Sequence, residues 1–319
     1  MKARAIVKIV VCSVLAVVLT TLLAAALFVG SVDFFEEDLS IHIPGMFPDT
    51  EDYTVGGGEI TGQIRGLQIS WASGQVVVKA YDGDTVRISE GLRSKMGGYA
   101  VTEEDIPGDY APEKEEALRY DVKDGVLDIQ AAKSGWNISI PAKVLLVLVP
   151  QGELSRLEIN NASATVELEG LTVDTVELDT ASGDIFVTDC VLGELEADSA
   201  SGDCEITGEV ERFAMNSASG DAHLTGEIER VEMDSASGSL IMVCETAPRE
   251  VEFSAVSGGA DLTLPEESSF AASMDSVSGE LNISGFQIFM EDGDCVVGSG
   301  TADYEFDTTS GDVIIRCGE

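Results

Sequence analysis

Positive charge is scarce in this chain. Eighteen Lys and Arg stand against 58 Asp and Glu, a formal net charge of −40, and no Lys occurs after Lys143. That balance excludes a nucleic-acid backbone as partner, and it excludes adhesion to anionic lipid by charge. Histidine is scarcer still: there are only two, His42 and His223, and neither is set in the sequence surroundings of a Ser-His-Asp hydrolase. None of the eight Lys follows a Ser at a distance of three residues, which removes the Ser-x-x-Lys signature of penicillin-recognising enzymes. The six Cys have no metal-ligand spacing; Cys12 lies in an apolar run, and the other five leave at least one thiol unpaired. The Gly-Gly-x-Gly-x-Asp nonapeptide of calcium β-rolls and the EF-hand loop are both missing. Strong acidity can mark a disordered chain, but 44% hydrophobic residues in strict periodicity argue for a packed core.

What the chain has in abundance is one short phrase. Ser-Ala-Ser-Gly-Asp occurs at 199–203 and again at 217–221, with relaxed copies elsewhere. Taking the second Ser as origin, the copies pair Ser182 with Gly183, Ser201 with Gly202, Ser219 with Gly220, Ser237 with Gly238, Ser257 with Gly258, Ser278 with Gly279 and Ser310 with Gly311. A degenerate copy has Ser163 followed by Ala164, and the successive gaps are 19, 19, 18, 18, 20, 21 and 32 residues. A period near twenty is the mark of stacked supersecondary units. Six and four residues before each origin lie apolar pairs such as Val176 and Leu178, Leu195 and Ala197, Phe213 and Met215. Three and five after it lie Ile185 and Val187, Cys204 and Ile206, Leu240 and Met242. Period two on both arms means half-buried strands. Each copy therefore reads as strand, turn, strand, with the Gly supplying a left-handed turn. A further apolar residue nine before the origin, as at Val173, Leu192, Val210 and Ile228, implies a third inward segment. The fold class expected is all-β, a parallel β-solenoid of 18–20-residue coils; a stack of hairpins is the alternative.

The outward positions carry carboxylates. Five before the origin stand Glu158, Glu177, Glu196, Glu232, Glu252 and Glu305; three before it stand Asp179, Asp198, Asp234, Asp275 and Asp307. Asp184, Asp203, Asp221 and Asp312 form a set two after it. Stacking turns such positions into ladders of like charge one strand apart. Asp179, Asp198, Asp234, Glu177 and Glu196 are the candidate cation ligands, with calcium as the cation, and a solvated face that keeps the protein soluble is the alternative reading. Glycoside hydrolysis by paired carboxylates would break the repeat with a local cluster, whereas these acids follow it. No catalytic residues are expected, and the chain reads as a non-enzyme.

Toward the start of the chain, Lys2, Arg4 and Lys8 precede an uncharged apolar run from Ile9 to Gly30, long enough for a hydrocarbon core of about 30 Å. An uncleaved anchor and a cleaved signal peptide both remain open, since Ala24 to Ala26 offer small residues for a cleavage site. The basic side is expected in the cytoplasm and the remainder outside it. The chain then divides into an anchor at 1–30, a juxtamembrane linker at 31–58, an N-terminal β unit at 59–155 with an inserted loop at 90–118, and solenoid repeats at 156–319. The β unit is expected to cap the stack.

The Ser-Gly-Asp copies from Ser182 onward, the Asp124-Gly125 turn between Tyr120 and Ile129, and the Val147-Leu148-Val149-Pro150 strand end carry a resemblance. In them the chain resembles the bacterial putative-adhesin family of β-strand-repeat proteins, a domain of unknown function. The resemblance covers roughly residues 59–317 and implies a repeat fold, a single N-terminal membrane helix and an envelope location. It supplies no catalytic or binding residues. The functions expected are an adhesin or envelope-binding module for a cell-wall, glycan or protein ligand, an envelope-stress sensor acting through a partner, and, third, a polysaccharide-active enzyme.

Overall fold

Repetition at fixed turn positions lets like stack on like, and the computed structural model shows the result over residues 50–92, 106, 112–133, 141–291 and 293–318. The apolar run at 9–30 and residues 31–49 of the linker, His42 included, lie outside the described residues. Among the described residues no helix is long and apolar enough to cross a membrane. The regular elements are strands. The first seven are β1 (Thr54–Val55), β2 (Gly58–Ile60), β3 (Gly66–Tyr81), β4 (Val86–Leu92), β5 (Arg119–Lys123), β6 (Val126–Gln130) and β7 (Lys143–Pro150). There follow β8 (Glu153–Glu169), β9 (Thr172–Thr180), β10 (Ile185–Ser199), β11 (Cys204–Ser217), β12 (Ala222–Ser235), β13 (Leu240–Cys244), β14 (Glu250–Ala255) and β15 (Ala260–Leu264). The last six are β16 (Phe270–Ser276), β17 (Leu281–Ser284), β18 (Ile288–Glu291), β19 (Asp294–Val297), β20 (Ala302–Thr308) and β21 (Val313–Cys317).

Parallel pairing in register from coil to coil converts the period-two pattern into continuous columns. On the arm before the turn, one column runs Leu127, Leu67, Leu157, Val176, Leu195, Phe213, Val231, Val251, Tyr304, Ala272. On the arm after the turn, Val76, Val166, Ile185, Cys204, Ala222, Leu240, Ala260 and Val313 form its counterpart. The residues of both columns are buried. The third inward position is also a column, Leu154, Val173, Leu192, Val210 and Ile228, and it too is buried. Between the second arm of one coil and the first arm of the next, β10 bends at Asp189, whose φ is 53°; Asp tolerates this left-handed conformation better than most residues. The hydrophobic columns of the two arms form one core cluster that extends from Ile60 to Ile315.

The turn differs from expectation in its physics. The repeated glycines 183, 202, 220, 238, 258, 279 and 311 are not among the residues with positive φ. Their requirement is close approach: a Cβ built on Gly202 would overlap the carbonyl oxygen of Gly183, one on Gly220 that of Gly202, and one on Gly238 that of Gly220. Turns stacked one strand spacing apart leave no room for a side chain there. At four of these seven turns the residue three before the Gly holds the turn. Thr180 Oγ1 accepts from the Gly183 N–H at 2.8 Å, Ser199 Oγ from Gly202 at 2.7 Å, Ser217 Oγ from Gly220 at 2.6 Å and Ser235 Oγ from Gly238 at 2.7 Å. The origin residues Ser182, Ser201 and Ser237 are exposed.

At the N-terminal end the sheets are extended by antiparallel strands, β4 on β7 with β2 beyond it, and β5 on β6 with β1 beyond it. Expected loop residues Glu90 to Leu92 belong to β4, and a hydrogen-bonded turn forms at Glu113, whose carbonyl accepts from Glu116 and Ala117 at 2.9 Å. Lys143 fastens this end. Its Nζ, wholly buried, reaches Glu90 Oε2 at 2.6 Å, the Glu116 carbonyl at 2.8 Å and the Ala131 carbonyl at 2.6 Å, and lies 5.0 Å from the Trp71 ring centre. Three acceptors match the three donors of an ammonium group. Burial pushes its pKa down, opposed by the Glu90 charge.

At the other end the order of coils is not the order of the chain. The last strands, β20 and β21, lie inside the stack: β20 pairs with β14 on one side and β16 on the other, and β21 lies between β15 and β17. The coil from Phe270 to Ser284 is outermost, and the long gap before Ser310 also holds the β18–β19 hairpin, with β19 antiparallel on β16.

Candidate functional site

The most extensive chemical feature is the outer face of the first-arm sheet. Alternation sends the residues between buried positions outward, and register lines them up. One column reads Glu158, Glu177, Glu196, Ala214, Glu232, Glu252, Glu305, Ser273; the neighbouring one reads Asn160, Asp179, Asp198, Asn216, Asp234, Ser254, Asp307, Asp275. Neighbours in a column are one strand spacing apart, about 4.8 Å. Like charges at that distance repel, and the face shows how the repulsion is relieved.

Arginines sit at its rim. Arg156 bridges Glu158 at 3.3 Å and Glu177 at 2.6 Å; Arg212 bridges Glu194 at 3.6 Å and Glu232 at 2.8 Å. The two asparagines interrupt the second column and donate to carboxylates, Asn160 to Glu158 and Asn216 to Asp198, both at 2.9 Å. What remains uncompensated appears as proton affinity. Burial, then the charges of Asp198, Glu158, Glu177 and Glu196, raise the pKa of Asp179. Burial first and adjacent carboxylates second raise Glu196 and Glu252 in the same way. Asp234 is raised chiefly by burial, against a hydrogen bond from Ser254 that lowers it.

Of the five candidate cation ligands, four come together: Glu177 lies beside Glu196 and Asp179 beside Asp198 across the β9–β10 pair. Asp234 does not join them, because Asn216 lies between it and Asp198. Among the described residues no group of three or more His, Cys, Asp or Glu is arranged to hold a metal ion. The third acidic set has a different job. The Asp184 carboxylate accepts the N–H of Asp203 at 3.2 Å, Asp203 that of Asp221 at 2.9 Å, Asp221 that of Ser239 at 2.7 Å and Asp312 that of Glu280 at 3.1 Å. Each ties its turn to the next coil. A spacing pattern cannot separate such acids from the free ones, since both recur once per coil.

Elsewhere the chemistry is sparse. His223 is exposed between Glu205 and Ile241. Cys190, Cys204 and Cys244 are buried and form no disulfide, and burial pushes the Cys204 and Cys244 thiols up to about 12, which keeps them from being thiolate nucleophiles. A groove of about 650 Å³ lies among loops at Glu245–Arg249, Pro265–Ser269 and Thr301, and its cation, Arg249, is paired with Glu229 at 3.2 Å.

A family model described as Toastrack DUF4097 matches residues 99–316. Among solved structures the chain is similar to a putative adhesin from Bacteroides fragilis, at 14% identity and a TM-score of 0.47 over 83% of this chain and 97% of that one. It is also similar to a putative cell adhesion protein from Clostridium sporogenes, at 7% identity and a TM-score of 0.27 over 83% and 100% of the two chains. A putative lipid binding protein from Parabacteroides distasonis aligns at 17% identity and a TM-score of 0.34 over 82% and 96%. No curated protein matches the sequence.

Proposed function

Because the chain belongs to the Toastrack DUF4097 family, a domain without an assigned activity, we propose that it is a non-enzymatic binding module of the cell envelope whose ligand meets the acidic face of the first-arm sheet. The observation that carries this reading is the register: carboxylates recur at the same two outward positions from β8 to β20 on a stack held by a continuous core. A repeating charged surface suits a repeating ligand, a glycan or an extended protein, met through its cationic groups or through divalent cations shared with it. In this reading the apolar run at 9–30 is the single membrane helix, Lys2, Arg4 and Lys8 stay in the cytoplasm, and the β cap and solenoid stand outside.

The test is retention of the full-length protein, in detergent, on isolated envelope and host-matrix fractions, with calcium and again with chelator. Retention lost in chelator identifies a cation-bridged adhesive face. Retention unaffected by chelator but abolished by Glu177→Gln with Glu196→Gln identifies direct recognition by the same face. Absence of retention on every fraction would overturn the reading and bring forward a sensor that acts through a membrane partner.

A further inference from the structure

The two ends of the stack are finished differently. At the N-terminal end, β4 and β2 extend one sheet and β5 and β1 the other. At the far end only the first-arm sheet is extended, by β19 on β16 and β18 on β19. The second-arm sheet stops at β17, which among the described residues pairs with β21 alone. Leu281 and Ile283 of β17 stand next to Val313 and Ile315, both wholly buried, yet are themselves only half-buried. Phe286 folds back edge-on to Phe270 at 5.6 Å, and Phe270 stacks on Tyr304 at 4.9 Å, so aromatic rings plug the core on one side of this end. Val277, in the turn before β17, is 80% exposed, and Phe289 and Met290 on β18 are 61% and 68% exposed. An unpaired strand with alternate apolar side chains is a template for another strand.

We propose that the free edge of β17 docks an extended basic segment of a different protein, which adds a strand to the second-arm sheet. Charge selects this occupant. Residues 270–315 contain no Lys or Arg, and Arg316, beside Ser284 on β21, is paired with Asp261, while Glu280 stands exposed just before β17 and Glu291 is exposed on β18. A second copy of the chain would bring the same acids edge to edge, and an anionic bilayer would be repelled as well. A segment with apolar residues at alternate positions covers Leu281 and Ile283, and Lys or Arg between them answer Glu280, the residue that immediately precedes β17. The edge of β17 belongs to the second-arm sheet, whereas the acidic columns lie on the first-arm sheet, so this surface stands or falls independently of them.

The test uses the full-length protein in detergent with three synthetic peptides of about ten residues, long enough to cover one strand edge. The first alternates Lys with Val; the second alternates Glu with Val; the third has the composition of the first with its valines gathered at one end. Fluorescence anisotropy at roughly 150 mM salt, where attraction beyond about 8 Å is screened, should show the alternating Lys-Val peptide binding at least about tenfold more tightly than either control, a difference set by pattern as well as charge. Amide hydrogen exchange should slow at Leu281–Ser284 in that complex. The exposed-site variant Glu280→Lys should weaken the Lys-Val peptide and strengthen the Glu-Val peptide with no change in melting temperature. Equal binding of the clustered peptide, or slowed exchange confined to β9–β12, would reduce the effect to nonspecific charge and overturn the assignment. Concentration-dependent dimers that protect Leu281–Ser284 without peptide would overturn it in favour of a second copy.

Discussion

Replacing Gly202 by Ala tests the stacked turn directly. The backbone at Gly202 is in a conformation open to any residue, so a side chain there meets no torsional penalty. Its Cβ, however, would lie 2.8 Å from the carbonyl carbon of Gly183 and closer still to the oxygen. Relief requires the turn to lift from the coil below, and that displacement stretches two hydrogen bonds, Gly202 N–H to Ser199 Oγ at 2.7 Å and Asp203 N–H to Asp184 Oδ1 at 3.2 Å. Overpacking costs about 1–3 kcal/mol and each net hydrogen bond about 1 kcal/mol. The sum is a loss of about 3–5 kcal/mol. With a urea slope of about 3 kcal/mol/M for a chain of this size, the unfolding midpoint should fall by about 1–1.7 M. Asn discriminates the cause. Gly56 has a φ of 83° and nothing within 4 Å of a built Cβ, so Gly56→Ala costs about 1–2 kcal/mol through backbone strain, and Gly56→Asn should recover most of it. Gly202→Asn should recover none. A Gly202→Asn protein within about 0.5 kcal/mol of the parent would refute the close-approach argument and restore the left-handed one.

Ser217→Ala removes the acceptor for the Gly220 N–H and should cost about 1 kcal/mol by urea unfolding, while Ser217→Thr should be nearly silent, because Thr180 makes the same bond two coils earlier; equal effects would deny the hydroxyl its role. Lys143→Met leaves the Glu90 carboxylate, 6% exposed, without its partner and should cost about 3–5 kcal/mol; Lys143→Met with Glu90→Leu should regain a large part of that in the same assay, and an additive double variant would show that the two charges do not act as a pair. The pH dependence has an uncommon sign. Asp179, Asp234, Glu196 and Glu252 are all raised in the folded chain above their ordinary values of 3.8 and 4.5. Between those values and the raised ones the folded state holds more protons than the unfolded state, so stability is greatest at the acid side of the window and is lost as pH rises through it. Calorimetry should show the melting temperature falling as pH rises above the ordinary carboxylate values, with a shallower fall in Asp179→Asn; a rise with pH there would contradict the stacked-carboxylate account.

Much of this architecture is legible in the sequence because the repeat writes the same physical demand several times. The inward columns at Leu195, Phe213 and Val231, or at Ile185, Cys204 and Leu240, were visible as period-two alternation about a common origin, and the structure places them in register. Pattern was a poorer guide to mechanism at the turn. Glycine recurring once per coil is equally consistent with a left-handed backbone and with a crowded one, and only the stacked carbonyls decide between them. The same ambiguity hid the division of labour among acids: Asp203 and Asp198 recur with the same period, but Asp203 receives the N–H of Asp221 while Asp198 faces outward beside Asp179. Cys204 was readable as a small apolar residue from its column alone, and it is wholly buried.

The order of the coils at the far end shows the limit of repeat reasoning. Copies with equivalent columns can exchange places without disturbing any column, so the spacing of Ser257, Ser278 and Ser310 contains no statement about which coil lies next to which. The order is decided by contacts that do not repeat. Arg316 pairs with Asp261, Tyr304 gives its hydroxyl proton to the Pro248 carbonyl at 3.0 Å, and Asp312 accepts from Glu280. Each of these holds if the Ala302–Cys317 coil is interior. A Tyr at 304 in a column otherwise filled by Val, Leu, Phe and Ala needs a partner for its hydroxyl when buried, and the loop at Pro248, in the coil on the β14 side, supplies it. Interior placement also clasps the stack, because the outermost coil is separated from β14 and β15 by strands that come later in the chain. Forming that end therefore requires the β18–β19 hairpin to be passed before the interior coil can close, a contact of long sequence separation set against the local coil-by-coil contacts elsewhere, and the slower kind of contact to form.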